Sequence, residues 1–391
     1  MKVAILWQYL FHYRIPFYRQ LGQIPGVDLT ILHGGVMGPA AEGIESRCGR
    51  ESFRTIKIKT TIKPLLGAVL YFQTGIWRHL IRERYDLIVC EGNFGMITNL
   101  PVLLYGKLSG KPVLFWTAGW ERGRVKGLTA LVRRFFIRIS ARLPDGYLCY
   151  GINSRDFLLK FGVDASRCAI VQNTIDIEEI AQHYEECLKA GQQEKERLGL
   201  TEKTIILTVG ELRPSKRVDV LLEAFREIRS KRDNVSLLLI GDGPEKHGLI
   251  RTTVDKGIPD VIFLGSVFTG IGRYFAMSDL FILPGEGGLA INEAMAYGLP
   301  VICSSADGTE KDLVIEGLTG SFFKSGSADA LACCIEKLLS SPEALRTMGI
   351  AARNHVYDIA SLQKSVQQFA HVLEQHGNSG IAPSGHFQST L

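Results

Sequence analysis

Nothing in this 391-residue sequence offers a bilayer span, a metal cage or a disulfide framework. No apolar run approaches the ~18 residues needed to cross a membrane. The eight cysteines form no C-x-x-C pair. Cys333 and Cys334 are adjacent, the others are scattered, and Cys90 sits inside the apolar run DLIVC, so the expectation is buried free thiols in a reducing compartment. No His/Cys spacing suits a metal, and the expectation is that none is bound. There is no Ser-His-Asp order, no GxxxxGK[ST] loop, and no G-x-G-x-x-G after the first strand. No nucleic-acid module pattern is present, which sets nucleic acid aside as a partner. Met1-Lys2 leads straight into VAILW, too short for a signal core, and a cytoplasmic location is expected.

What is present is a globular composition, 46% apolar and 22% charged, over a length that suggests two or three domains. The net charge of +5 is unevenly spread. Residues 1–180 carry 24 Lys+Arg against 14 Asp+Glu, or +10; residues 181–391 carry 21 against 26, or −5. The halves present different surfaces and suit different partners.

The stretch 279–304, DLFILPGEGGLAINEAMAYGLPVICS, organises the rest. It reads as a buried strand, a glycine turn, a helix stopped at Gly298-Leu299-Pro300, and a second buried strand. A glycine turn feeding a helix start is an anion site, because free N–H groups and the helix dipole point outward. Glu286, Asn292 and Glu293 are the polar residues of this unit. Glu293, flanked by Ala and Met, reads as a partner for vicinal hydroxyls such as those of a ribose.

Strands alternate with helices in both halves, which predicts two doubly wound parallel-sheet domains facing each other over a cleft. Residues 1–177 are expected as the first domain, 178–200 as a polar linker, 201–355 as the second, 356–376 as a helix returning to the first, and 377–391 as a disordered tail. The run 62–80 is expected as an apolar helix. In the first half, Tyr9, His12 and Arg14 follow the first strand, Asn93 follows DLIVC, and Thr117 closes PVLFW. These strand ends are candidates for holding an acceptor. Residues 122–143, RGRVKGLTALVRRFFIRISARL, hold seven basic and no acidic side chains around Leu and Phe. They read as a basic amphipathic helix at the inner face of a membrane.

In the second half, Gly210 ends a strand and Arg213, Lys216 and Arg217 follow. Cations there can neutralise a diphosphate, with Arg able to bind two oxygens at once. Gly241-Asp242-Gly243 forms another strand-end turn. The run VGELRPSKRVDVLLEAF, then LLLIGDGPE, VIFLGSV, LPGEGGLAINEAMAYGLPVICS and GTEKDLVIEGLTGSFF, in that order, resembles the donor-binding half of the retaining family-4 glycosyltransferases of the GT-B fold. The resemblance is strong over 200–340, and VQNTID extends it weakly into the first half. It implies transfer of a sugar from a UDP- or GDP-sugar, by a hexosyltransferase-type enzyme without cofactor or metal, to a glycan or lipid-linked acceptor in surface polysaccharide or glycolipid synthesis. It implies catalytic roles for Arg213, Lys216 and Glu293. It implies donor contacts at Gly210, Arg217, Gly241, Gly243, Glu286, Gly287, Gly288, Leu289 and Ala290.

The sequence departs from the family pattern at three points. Glu286 and Glu293 are separated by six residues where the family has seven, which puts Gly285 where the first glutamate is usual. Glu211, not arginine, follows Gly210. Thr117-Ala118-Gly119 stands where a histidine is common. A nucleotide-sugar epimerase or hydrolase on the same fold, and a non-catalytic nucleotide-sugar-binding protein, are the alternatives these departures leave.

Overall fold

The structure is a computed structural model describing residues 1–37, 52–65, 68–93, 96–119, 137–138, 140–305 and 308–377. The chain divides into two compact units. One is Met1–Gln172 with the chain from Gln363 onward; the other is Asn173–Leu362.

The first unit contains β1 (Lys2–Trp7), β2 (Leu10–Phe11), β3 (Asp28–His33), β4 (Val36–Met37), β5 (Arg54–Lys57), β6 (Thr60–Leu65), β7 (Ala68–Gln73), β8 (Leu87–Glu91), β9 (Val113–Thr117), β10 (Gly146–Cys149) and β11 (Cys168–Ile170). Seven of these form a parallel sheet in the order β11-β10-β9-β8-β1-β3-β5. The second unit contains β12 (Thr204–Val209), β13 (Val235–Ile240), β14 (Val261–Gly265), β15 (Leu280–Leu283), β16 (Val301–Ser304) and β17 (Gly320–Phe323). They form a parallel sheet in the order β14-β13-β12-β15-β16-β17. The central strands are buried along their length, as helices on both faces require. Strand order reverses between β1 and β8 in the first sheet and between β12 and β15 in the second. Such a switch splays the following loops apart and leaves a crevice at the carboxyl ends of the strands.

Three expectations are corrected. Residues 62–80 are not one helix. β6 and β7 pair antiparallel from Thr60↔Gln73 to Leu65↔Ala68, and a helix starts only at Ile76. Threonine, isoleucine, valine and aromatics fill this run, and they favour a pleated surface over a helix. Gln73 then points inward, where its Nε2 donates to the Trp7 carbonyl at 2.8 Å. The stretch 178–200, expected as a polar linker between domains, belongs to the second unit. It forms helices Ile177–Gln182 and Tyr184–Arg197, both within the second unit. Its polarity conceals an inward anchor. Glu194, buried, accepts from Tyr274 Oη at 2.9 Å and from Arg197 at 2.7 Å. The Arg197 bond chiefly holds the Glu194 carboxyl down at about 2. The division between units falls at Gln172 and Leu362, not at 177 and 355.

The last described helix, Leu362–His376, packs on the first unit. Phe369 meets Trp116 at 4.9 Å and Phe17 at 5.3 Å between ring centroids. Of the basic stretch expected at 122–143, residues 122–136 and 139 lie outside the described residues, as does the tail 378–391.

Candidate functional site

In the second unit the site is built where β12, β13 and β15 end. Gly210 N–H donates to the Ile240 carbonyl, and Gly241 N–H to the Gly265 carbonyl, which carries the ladder one residue past the strands. Gly241 adopts φ +144°, and a Cβ on it would stand 1.9 Å from the Gly210 carbonyl oxygen. No side chain fits there. Gly241→Ala is expected to destabilise the protein by about 3 kcal/mol, combining backbone strain and overpacking. Differential scanning calorimetry should show the melting temperature falling by roughly 10 °C.

The loop after β12 folds back onto the turn after β15. Pro214–Lys216 makes a short 3-10 turn, with Pro pre-set for its first position. Glu286 N–H donates to the Ser215 carbonyl at 2.8 Å. Lys216 Nζ donates to the carbonyls of Glu286 at 2.8 Å and Gly287 at 3.1 Å. Gly285 is crowded: a Cβ would lie 2.2 Å from the Ser215 carbonyl oxygen. This explains the one-place shift noted in the sequence. A glutamate cannot occupy position 285 against this loop. Glu286, one residue later, has its carboxylate 3.5 Å from Arg213 Nη2.

Several expected residues therefore come together. The Lys216 ammonium stands 3.8 Å and 3.6 Å from the positions a Cβ would take on Gly210 and Gly288. Arg213 pairs loosely with Glu286 at 3.5 Å and Glu211 at 3.6 Å, all of them exposed. Such pairs hold by well under about 1 kcal/mol, so Arg213 is available to a more highly charged ligand. Among the described residues the backbone N–H groups of Gly287, Gly288, Leu289 and Ala290 have no acceptor. Arg217 goes elsewhere. It sits at φ +53° and makes a two-point contact to Asp219 at 3.1 Å, outside this cluster. Gly243 packs against the Leu212 backbone and supports the loop from below.

Glu293 lies in the first turn of the helix Ala290–Ala296. It is half-buried, and no hydrogen bond or ion pair engages its carboxyl among the described residues. Burial among apolar neighbours pushes it up to about 7. Asn292 beside it is fully buried and donates to the Asn173 carbonyl at 3.2 Å, tying this helix to the start of the unit.

In the first unit the acceptor-side candidates occupy the carboxyl ends of β1, β8 and β9. Thr117 Oγ1 donates to the Gly92 carbonyl at 2.9 Å and accepts from Gly119 N–H. Asn93 Nδ2 lies 3.4 Å from Glu91 Oε1, and Gln8 N–H donates to Glu91 Oε2 at 3.0 Å. Glu91 thus joins the two sides of the switch point. The sequence signal for it was an acid ending an apolar strand. Tyr9 is half-buried and His12 exposed, with the His12 ring against Tyr13. Arg14 is different. It is 5% exposed, with its guanidinium 4.3 Å from the Trp116 ring centroid and 4.5 Å from that of Trp7. Its Nη2 donates to Tyr150 Oη at 2.5 Å. Arg14 is a packed cation that fixes the loop carrying Tyr9 and His12.

Comparison with known proteins places these features. A model for glycosyl transferases group 1 matches residues 191–355, and a model for glycosyltransferase family 4 matches residues 18–179. A GDP-mannose-dependent alpha-(1-6)-phosphatidylinositol monomannoside mannosyltransferase of Mycolicibacterium smegmatis is 30% identical over 176 residues, 42% of this chain and 46% of that protein. An N-acetyl-alpha-D-glucosaminyl L-malate synthase of Bacillus anthracis is 34% identical over 182 residues, 45% and 47% of the two chains. The match spans about half the length of these curated relatives. Among solved structures, Anabaena HepE in complex with UDP superposes with a TM-score of 0.74 at 18% identity, over 96% of this chain and 100% of that one. Sucrose-phosphate synthase of Thermosynechococcus elongatus gives 0.70 at 17%, over 96% and 98%. At these identities the likeness speaks for the fold. With both parallel-sheet units matched in sequence and the whole chain matched in fold, the protein belongs to the family-4 glycosyltransferases of the GT-B fold.

Proposed function

We propose that this chain is a retaining glycosyltransferase that moves a sugar from a UDP- or GDP-sugar to a glycan or lipid-linked acceptor, in surface polysaccharide or glycolipid synthesis. The observation that carries the reading is one edge of the second sheet. Two cations, Arg213 and Lys216, stand on the loop that meets residues 286–290, whose amides 287–290 have no acceptor among the described residues, and the helix that follows carries the Glu293 carboxyl, unengaged among those residues. A diphosphate suits the cations and amides, and a ribose suits the carboxyl. With Arg213 and Lys216 supplying positive charge, the leaving diphosphate needs no metal. Stabilising it is the main catalytic term, and attack from the same face as the departing group retains configuration. The acceptor side belongs to the first unit, at Tyr9, His12, Asn93 and Thr117. The basic sequence of 122–143 suits an anionic membrane surface as a partner.

Relatives support the range of donors and acceptors. One is a GDP-mannose-dependent enzyme of a phosphatidylinositol mannoside, and one structural neighbour was solved with UDP. A panel of UDP- and GDP-sugars in a thermal-shift assay tests the donor. The matching donor at 100 times its Kd should stabilise the protein by about 2.7 kcal/mol. No shift with any nucleotide sugar overturns the reading. Product analysis with and without acceptor glycolipid then separates transfer from epimerisation, hydrolysis and binding alone.

A further inference from the structure

The helix Asn99–Ser109 in the first unit carries aliphatic side chains on two faces. Val102, Leu103 and Gly106 are buried against the sheet, while Leu100, Leu104 and Leu108 face outward at 53%, 55% and 78% exposure. These three recur every four residues. They drift only about 40° per step around the axis, so they form one stripe. A helix apolar on both faces needs an apolar partner on each. The neighbouring helix Ile76–Glu83 extends the patch. Tyr105 Oη donates to the Leu80 carbonyl at 3.1 Å, and the Trp77 and Tyr105 rings meet edge to face at 6.1 Å. On that helix Ile81 is 59% exposed, exposed Arg78 lies one turn before it on the same face, and exposed Arg82 flanks that face.

The charge around the stripe selects the partner. Lys107 and Lys111 are neutralised by Asp145 at 2.9 Å and Asp86 at 3.4 Å. The guanidinium groups of Arg78, Arg82 and Arg84 have no ion pair or hydrogen bond among the described residues. An aliphatic stripe, an interfacial Trp-Tyr pair and unneutralised arginines together fit the boundary between headgroups and acyl chains of an anionic leaflet. Among the described residues no helix is long and apolar enough to cross a membrane, so the contact is with a surface.

We propose that the face formed by Leu100, Leu104, Leu108, Ile81, Arg78 and Arg82 docks the first unit on an anionic lipid bilayer. The proposed face is made of residues other than those of the stretch 122–143. It rests on the proposed function only in sharing a membrane-borne acceptor. Vesicle binding is measured without donor or acceptor, so either reading can fail alone.

The test is co-sedimentation of the full chain with vesicles of phosphatidylcholine, with and without roughly 30 mol% phosphatidylglycerol to supply a negative surface potential. Wild type should bind the anionic vesicles and release at high salt. Leu104→Glu/Leu108→Glu and, separately, Arg78→Gln/Arg82→Gln/Arg84→Gln should each weaken binding by about tenfold or more. Both sets lie on the surface, and an unchanged melting temperature verifies folding. Failure of wild type to bind overturns the proposal. So does wild-type binding by both variants, with Arg133→Gln/Arg134→Gln losing it, since the contact is then in 122–143. A dimer in light scattering that Leu104→Glu splits, without vesicle binding, assigns the stripe to a second copy and equally overturns it.

Discussion

Lys216→Ala is expected to lower the rate of sugar transfer by roughly 100- to 1,000-fold, the scale seen when one preorganised stabiliser of a developing anion is removed. Two effects combine. The ammonium bonds directly to the glycine turn, and the substitution deletes the charge proposed to meet the leaving diphosphate. It also frees the carbonyls of Glu286 and Gly287, both of which Lys216 Nζ now satisfies. Losing two charge-assisted bonds should lower stability by about 2 kcal/mol and loosen the loop. Lys216→Arg separates the contributions. It keeps the charge but spreads it over a planar fork that cannot reach both carbonyls from one point. An intermediate rate with lowered stability is expected. Arg213→Ala should leave stability almost unchanged, because its pairs with Glu211 and Glu286 are long and exposed. Rates near wild type in Lys216→Ala, measured at saturating donor, would remove this lysine from the mechanism.

Much of the second unit was legible because its signals are strong and local. Strands such as VSLLLI and LFIL are buried runs bounded by glycine, and burial on both faces removes any ambiguity about which side faces the core. The cations at 213 and 216 stood out because a helix start disfavours positive charge. Arg217 carried the same signal, and the structure pairs it with Asp219, two residues on. Only packing shows that Gly285 has no room for a side chain, since the obstructing carbonyl belongs to Ser215, seventy residues away in sequence. The hairpin at 60–73 was hidden for another reason. Its apolar run lacks a polar face that would distinguish period 2 from period 3.6. Arg14 reads in sequence as an acceptor-side candidate following the first strand. The aromatic box around it draws Trp7, Trp116 and Tyr150 from three separate strands or strand ends, and no local pattern announces it.

Glu293→Gln should move activity and stability in opposite directions, and the pH dependence fixes why. The Glu293 carboxyl is raised from 4.5 to about 7 by burial, with no cation to compensate. The folded state therefore binds this proton more tightly than the unfolded state does. Its contribution to stability is complete below about 4.5 and is lost as pH rises through about 7. The full shift corresponds to roughly 3 kcal/mol. Partial exposure of the side chain reduces this to about 2 kcal/mol of penalty at pH 8. Glutamine cannot ionise and escapes it. The variant without ligand should melt roughly 5 °C above wild type at pH 8 and level with it at pH 4.5. Donor affinity should fall about 10- to 100-fold, because the amide replaces a charged acceptor with one neutral oxygen and an unwanted donor. A purely structural glutamate would give a stability change with unaltered donor affinity. A surface glutamate would give neither. Stabilisation at high pH together with lost donor binding identifies a carboxyl held at a loss to the fold, in readiness for the ligand's hydroxyls.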